Sequence, residues 1–247
     1  MFVILGVMNT ADKQHSAVAD YFKEIIYGGI DGIVTTFAVV AGFAGAALSN
    51  DLTAQLSFMV VLLFWSANFF AVAASMGLGN FLSGRSEKDL YNAKRTTEAE
   101  LLTTQTDKEI AETISILVDR GFTAEQAQTI AHVYKTNHEY WTDFMMQHEL
   151  ELSDPRGENE VLTGLATFGS FLVFGAIPLL PFILQSEGSA LVAFLYSSLG
   201  TLGALVALGL LKWRVIGTKL LPSLTEVVLV GGTAAVLAYI VGTFFSL

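Results

Sequence analysis

The sequence predicts an all-α polytopic membrane protein, with five transmembrane helices and a cytoplasmic helical insert between helices 2 and 3. Three observations carry this prediction. The 247-residue chain is 53% hydrophobic and only 15% charged, with a mean hydropathy of +0.56, whereas a soluble domain has about 25% charged residues. Five long stretches contain no charge at all. Residues 86–160 hold 16 of the 23 acidic and 7 of the 13 basic residues, so they carry −9 of the net −10.

The uncharged stretches are Gly32–Asn50, Leu52–Gly84, Val161–Ser186, Gly188–Leu211 and Val227–Leu247, of 19, 33, 26, 24 and 21 residues. About 20 apolar residues cross a hydrocarbon core, so each qualifies as a span. The first is expected to begin near Glu24, because Ile25, Ile26, Tyr27 and Ile30 continue its apolar run ahead of Asp31. The second, at roughly 50 Å, exceeds the bilayer, and its Gly77-Leu78-Gly79-Asn80 end is expected to protrude into water. Pro178 and Pro181 bend the third, as a functional discontinuity or as a packing kink. Gly28 and Gly32 form a small-xxx-small pair suited to a tight helix interface, including one between two copies of the chain. Met1–Thr10 is apolar but too short to span, with no basic n-region and no A-x-A-like site, so no signal peptide is expected. The absence of cysteine excludes structural disulfides and thiolate metal sites.

With five spans, all basic residues fall in the N-terminal segment, the insert or the loop between spans four and five, which share one side. The opposite connections carry only Asp51 and Glu187. The positive-inside rule therefore places the N-terminus and insert in the cytoplasm and the C-terminus outside or in a lumen. The expected organisation is 1–85 for the N-terminal segment and helices 1–2, 86–157 for an acidic metal-binding domain, and 158–247 for helices 3–5. Within the insert, Ser86–Thr103 is rich in helix formers. Asp107–Arg120 opens on Asp107 as N-cap and stops at Gly121. Thr123-Ala124-Glu125-Gln126 has the capping-box form and opens a helix to about Asn137. His138–Leu152 follows and ends before Asp154-Pro155.

Ionisable residues inside a membrane are costly and mark function. Asp31 lies within span one, with Glu24 two turns earlier and Thr35 one turn later on the same face, and the uncharged stretches offer it no basic partner. A carboxylate so placed suits a cation or a proton. In span two, Asn68 and Met76 lie close to one face; Met76 fits either core packing or a soft metal ligand. In the insert, Glu109 and Glu112 share a helix face, Glu98 and Glu100 lie upstream, and Met145, Met146, His148 and Glu149 lie downstream. Such a set could bind Fe²⁺, Mn²⁺ or Zn²⁺, or form a solvated acidic face. The Glu-x-x-His di-iron motif, phosphate loops, HExxH and Gly-x-Ser-x-Gly are absent, so neither an enzyme nor ATP-driven transport is expected.

These motifs, in order, resemble the vacuolar iron transporter family. Lys23-Glu24-Ile25-Ile26 and Asp31-Gly32-Ile33-Val34-Thr35-Thr36-Phe37-Ala38 resemble its first helix, and Ser75-Met76-Gly77-Leu78-Gly79-Asn80 its second. Lys108-Glu109-Ile110 through Asp143-Phe144-Met145-Met146-Gln147-His148-Glu149-Leu150 is similar to its cytoplasmic metal-binding domain, and Ile177-Pro178-Leu179-Leu180-Pro181-Phe182 to its third helix. The resemblance covers residues 20–245. It implies a homodimer in membrane lipid that exports Fe²⁺, or Mn²⁺, from the cytosol in exchange for protons, with the ion as cargo and no prosthetic group. It implies pore ligands at Glu24, Asp31 and Met76, and insert ligands at Glu98, Glu109, Glu112, Glu149 and Met145 or Met146. It further implies a vacuole-like membrane in a eukaryote and the cell membrane in a prokaryote, with no nucleic-acid partner. Asn68, Asn80 and His148 stand where acidic residues are common in the family, and one expected ligand position falls near Glu100 or Leu101. These departures leave the number of bound ions and the metal preference open. A membrane-anchored metal sensor or sequestration protein is the alternative.

Overall fold

The computed structural model describes residues 21–47, 51–184, 190–217 and 219–244; Met1–Thr10 and Glu187 lie outside them. The chain divides into two compact units, residues 82–160 and the remainder. Among the described residues every regular element is helical.

The larger unit contains α1 (Phe22–Ala47), the first part of α2 (Asp51–Thr104), α6 (Glu160–Ala176), the short α7 (Leu180–Leu184), α8 (Ala190–Ile216) and α9 (Leu220–Phe244). Among the described residues, four segments have the length and apolarity to cross a membrane: Phe22–Gly42, Glu160–Leu184, Val192–Ile216 and Leu220–Leu237. Exposed leucines and valines lie along their outward faces, including Leu165, Val173, Leu199, Leu229 and Val236. That is the pattern of an integral membrane protein, where lipid replaces water around the helices.

Helix contacts inside this unit rest on small residues. A Cβ on Gly32 would lie 2.5 Å from the Phe171 carbonyl oxygen, and one on Gly175 would lie 2.9 Å from the Gly32 carbonyl oxygen. A Cβ on Gly28 would lie 2.5 Å from the Thr167 carbonyl oxygen. The Gly28/Gly32 pair is thus filled by α6 of the same chain. Gly77 and Gly164 bring α2 onto α6 in the same way. Trp65 and Phe69 stack at 4.9 Å, and Phe69 meets Phe171 at 5.5 Å, forming a core with Leu179 and Phe182. The predicted bend appears as a 3₁₀ turn, Ile177–Leu179, between α6 and α7. Pro178 is buried, and Ser197 Oγ donates to its carbonyl at 2.5 Å, which satisfies a polar group that lipid would leave bare.

One expectation is corrected along α2. Near its Gly77–Asn80 stretch, Gly77 is buried against α6, and Asn80 Nδ2 donates to Thr167 Oγ1 at 2.7 Å. Ser86–Thr103 is not a separate helix, because α2 runs unbroken through Gly77, Gly79 and Gly84 to Thr104.

The smaller unit contains the end of α2, α3 (Thr106–Asp119), α4 (Ala124–Lys135), α5 (His138–His148) and a 3₁₀ turn at Pro155–Gly157. Asp107 is not the N-cap of α3; Gln105 holds that position and Asp107 lies in the first turn, where its charge complements the helix dipole. Gly121 ends α3 at φ +98°, with Phe122 N–H on the Leu117 carbonyl and Gly121 N–H on the Val118 carbonyl. This is a Schellman closure, which favours glycine at that site. Thr123 and Gln126 form the reciprocal capping box, at 3.0 and 3.3 Å. α5 starts on Asn137, whose side chain accepts from Tyr140 N–H, and stops at His148, short of the expected Leu152. The core is Leu102, Leu117, Ala127, Trp141, Phe144 and Met145.

An ionic clasp ties α5 to α2. Arg95 Nε donates to Asp143 at 2.8 Å, and Arg156 bridges Asp143 at 3.2 Å and Asp154 at 2.7 Å while covering the Tyr91 ring. The Arg156 hydrogen bonds hold the Asp154 carboxyl at about 2, below the usual range.

Candidate metal centre

The end of α2, the first turns of α3 and the end of α5 bring three carboxylates together. Glu98, Glu109 and Glu149 each place one oxygen so that all three lie within 4.8 Å of one another. Glu98 and Glu109 are only 3% and 1% exposed; Glu149, the C-cap of α5, is exposed. Glu98 Oε1 and both Glu109 oxygens are buried with no hydrogen-bond partner, as is Glu112 Oε2. Buried carboxylates are normally paired, because an unpaired charge is costly to desolvate. The cost shows in their titration. Burial, then repulsion from Glu149, Glu109 and Glu112, pushes Glu98 up to about 7. Burial, then the charge of Glu112, raises Glu109 and Glu149 as well.

A divalent ion answers both defects. Transition ions hold carboxylate oxygens at about 2.0–2.2 Å, so the three groups need to draw in by roughly an ångström around one ion. Glu112 adjoins the set, with Lys108 Nζ 3.3 Å from it and 3.9 Å from Glu109.

The remaining candidates divide by helix face. Glu100 is two residues from Glu98, exposed, and lines a surface groove with Asn92, Arg95 and Thr103, away from the cluster. His148 lies outside the convergent group; its ring meets Phe144 edge-on at 4.6 Å, and burial, then Arg120, lowers its pKa. Met145 and Met146 are both fully buried. The Met145 sulfur lies 3.3 Å from Thr113 Oγ1, one turn beyond Glu109. Thr113 and Trp141 were not picked out from the sequence; only the spacing of Thr113 from Glu109 and of Trp141 from Met145, four residues each, could have suggested them.

In the membrane unit, Thr35 Oγ1 donates to Asp31 at 3.4 Å. Asp31 lines an open, largely apolar groove of about 570 Å³ with Tyr27, Ile30, Val34 and Lys212. The expectation of spans free of basic residues is corrected here, because the third apolar segment, Val192–Ile216, includes Lys212, which pairs with Glu226. Glu24 sits in the first turn of α1, its carbonyl accepting from Ser170 Oγ at 3.3 Å. Met76 packs against the Trp65–Phe69–Phe171 core and does not line the groove of Asp31.

The sequence is similar to those of known proteins. The chain is 32% identical over 238 residues to the vacuolar iron transporter of Toxoplasma gondii (strain ATCC 50861 / VEG), covering 93% of this chain and 76% of that one. It is 31% identical over 227 residues to vacuolar iron transporter 1 of Arabidopsis thaliana, covering 92% and 87%. It is 30% identical over 233 residues to the vacuolar iron transporter of Centaurea cyanus, covering 94% and 91%. The model of the VIT family matches residues 22–243, which takes in the apolar helices and the carboxylate cluster together, so the chain belongs to the VIT family.

Proposed function

We propose that this protein moves Fe²⁺, and Mn²⁺ as a second cargo, out of the cytosol in exchange for protons. The observation that carries the reading is the convergence of Glu98 and Glu109, with buried oxygens that lack a hydrogen-bond donor, and Glu149, in a chain whose relatives are named vacuolar iron transporters. The insert's charge of −9 supports it, because a concentrated negative field raises local cation concentration. In this reading five spans cross the membrane, the fifth lying on α2, and the insert faces the cytoplasm with the N-terminus, on the side of the basic residues. Two copies associate. Asp31, Met76 and Glu24 supply the pathway, and the insert ligands are Glu98, Glu109, Glu112 and Glu149 with Met145.

Exchange follows from ordinary carboxylate chemistry. A carboxylate holds a proton or a metal ion, so an acidic far side strips the ion and returns protons. The test is Fe²⁺ uptake into proteoliposomes with an acidic interior. Wild type is expected to accumulate the ion and lose that accumulation when the pH gradient is collapsed. Asp31→Ala is expected to abolish flux while leaving metal binding by the insert intact. Unchanged uptake in Asp31→Ala refutes the pathway, and binding without flux in the wild type points to a sequestration protein instead.

A further inference from the structure

Thr113 lies on α3 one turn past Glu109 and is fully buried. Its oxygen accepts from Trp141 Nε1 at 2.8 Å. Its own hydrogen faces two acceptors, the Glu109 carbonyl at 2.8 Å and the Met145 sulfur at 3.3 Å. A hydroxyl has one hydrogen, so the sulfur contact can be given up without leaving a buried donor bare. On α5, Trp141, Met145 and Glu149 recur every four residues and share one face. The two helix faces therefore meet in adjoining layers: carboxylates at Glu109 and Glu149, Thr113 and Met145 one turn away, and Trp141 a turn beyond Met145, bonded to Thr113.

We propose that Thr113, anchored by Trp141, is a positioning residue for the Met145 thioether and thereby sets the centre's preference for transition ions over Ca²⁺. The proposal rests on the reading of Glu98, Glu109 and Glu149 as a metal site. Methionine has three rotatable bonds and no strong orientation of its own. Thr113 holds the sulfur beside the carboxylate layer while no ion is bound. When the sulfur turns to an ion, the Thr113 hydrogen passes wholly to the Glu109 carbonyl and Trp141 keeps its acceptor. Three carboxylates alone suit Ca²⁺ or Mg²⁺ as well as a transition ion, and an added soft thioether shifts the balance.

The test uses the full chain in detergent, with Co²⁺ and Ca²⁺ as probes of binding. Thr113→Val keeps the shape and deletes the hydroxyl. It is expected to weaken Co²⁺ binding about tenfold, as loss of an outer-sphere partner does, with Ca²⁺ affinity unchanged. Thr113→Ser is expected to restore the wild-type ratio. In a Met145→Leu background, already reduced in Co²⁺ affinity, Thr113→Val is expected to cost nothing more. Equal losses for both ions, or a further loss in the Met145→Leu background, overturn the proposal, because a merely structural role predicts them. If Thr113→Val does not fold, Thr113→Ala deletes the same hydroxyl and is read by the same ratio. Glu109→Gln separates the two levels. If it too leaves Co²⁺ binding intact, the metal-site reading fails; if it abolishes binding while Thr113→Val matches wild type, only the positioning role fails.

Discussion

Glu98→Gln isolates the cost of the unfilled centre. In the metal-free protein the Glu98 carboxyl is pushed up to about 7 by burial and by its carboxylate neighbours, from an ordinary 4.5. Below 4.5 both folded and unfolded chains hold the proton, and Glu98 costs nothing. Between 4.5 and about 7 the unfolded chain releases the proton while the folded chain keeps it, so stability falls as pH rises. Above about 7 the penalty is complete. At 1.36 kcal/mol for each unit of difference, it amounts to about 3 kcal/mol, an upper figure given that Glu149 is exposed and its repulsion is screened. Glutamine keeps the shape and carries no charge. Glu98→Gln should therefore stabilise the chelator-treated protein strongly at pH 8 and only slightly at pH 5, read as the shift in thermal midpoint at each pH. With saturating Mn²⁺ at pH 8 the order should reverse, because wild type gains binding free energy that the variant cannot. An equal shift at pH 5 and pH 8, or a destabilised metal-free variant at pH 8, refutes the reasoning.

Further outcomes follow from other contacts. Gly32→Ala puts a methyl 2.5 Å from the Phe171 carbonyl oxygen and should cost about 1–3 kcal/mol by overpacking; Gly169→Ala, with nothing within 4 Å, should melt like wild type in the same detergent. Lys108→Met removes the cation beside Glu112 and Glu109 and should tighten Mn²⁺ binding a few-fold in a titration at low salt, an effect that fades with added salt; weaker binding contradicts it. Arg95→Ala opens the clasp on Asp143 and should speed amide exchange in α5 and weaken Mn²⁺ binding, while exchange in α4 stays as it was. Unchanged exchange in α5 would show that the clasp does not hold that helix.

Local chemistry was legible wherever the governing forces act over a few residues. The apolar stretches predicted helices because a backbone in lipid must satisfy itself within its own segment. Gly121 and the Thr123/Gln126 pair predicted a helix stop and start because caps are closed by groups within about four residues. Asp107 misled, since a strong capping residue in the first turn of a helix is indistinguishable from a cap by sequence. The unbroken α2 was missed because its glycines read as ends, whereas Gly77 is held in the helix by its fit against Gly164 and Phe168 of α6.

By itself, then, the sequence determined that the protein is helical and apolar, that its acidity sits in one segment, and which residue types could ligate a metal. Only the tertiary structure decided which of them meet. It selected Glu98 over Glu100, two residues away on the same helix, and joined it to Glu109 and Glu149. It gave Gly28 and Gly32 a partner in α6, and it set Thr113 between Trp141 and Met145. The physical reason is range: capping and periodicity act within a turn or two, whereas the Thr113 contacts join residues 28 and 32 positions apart and, like the others, depend on how whole helices cross.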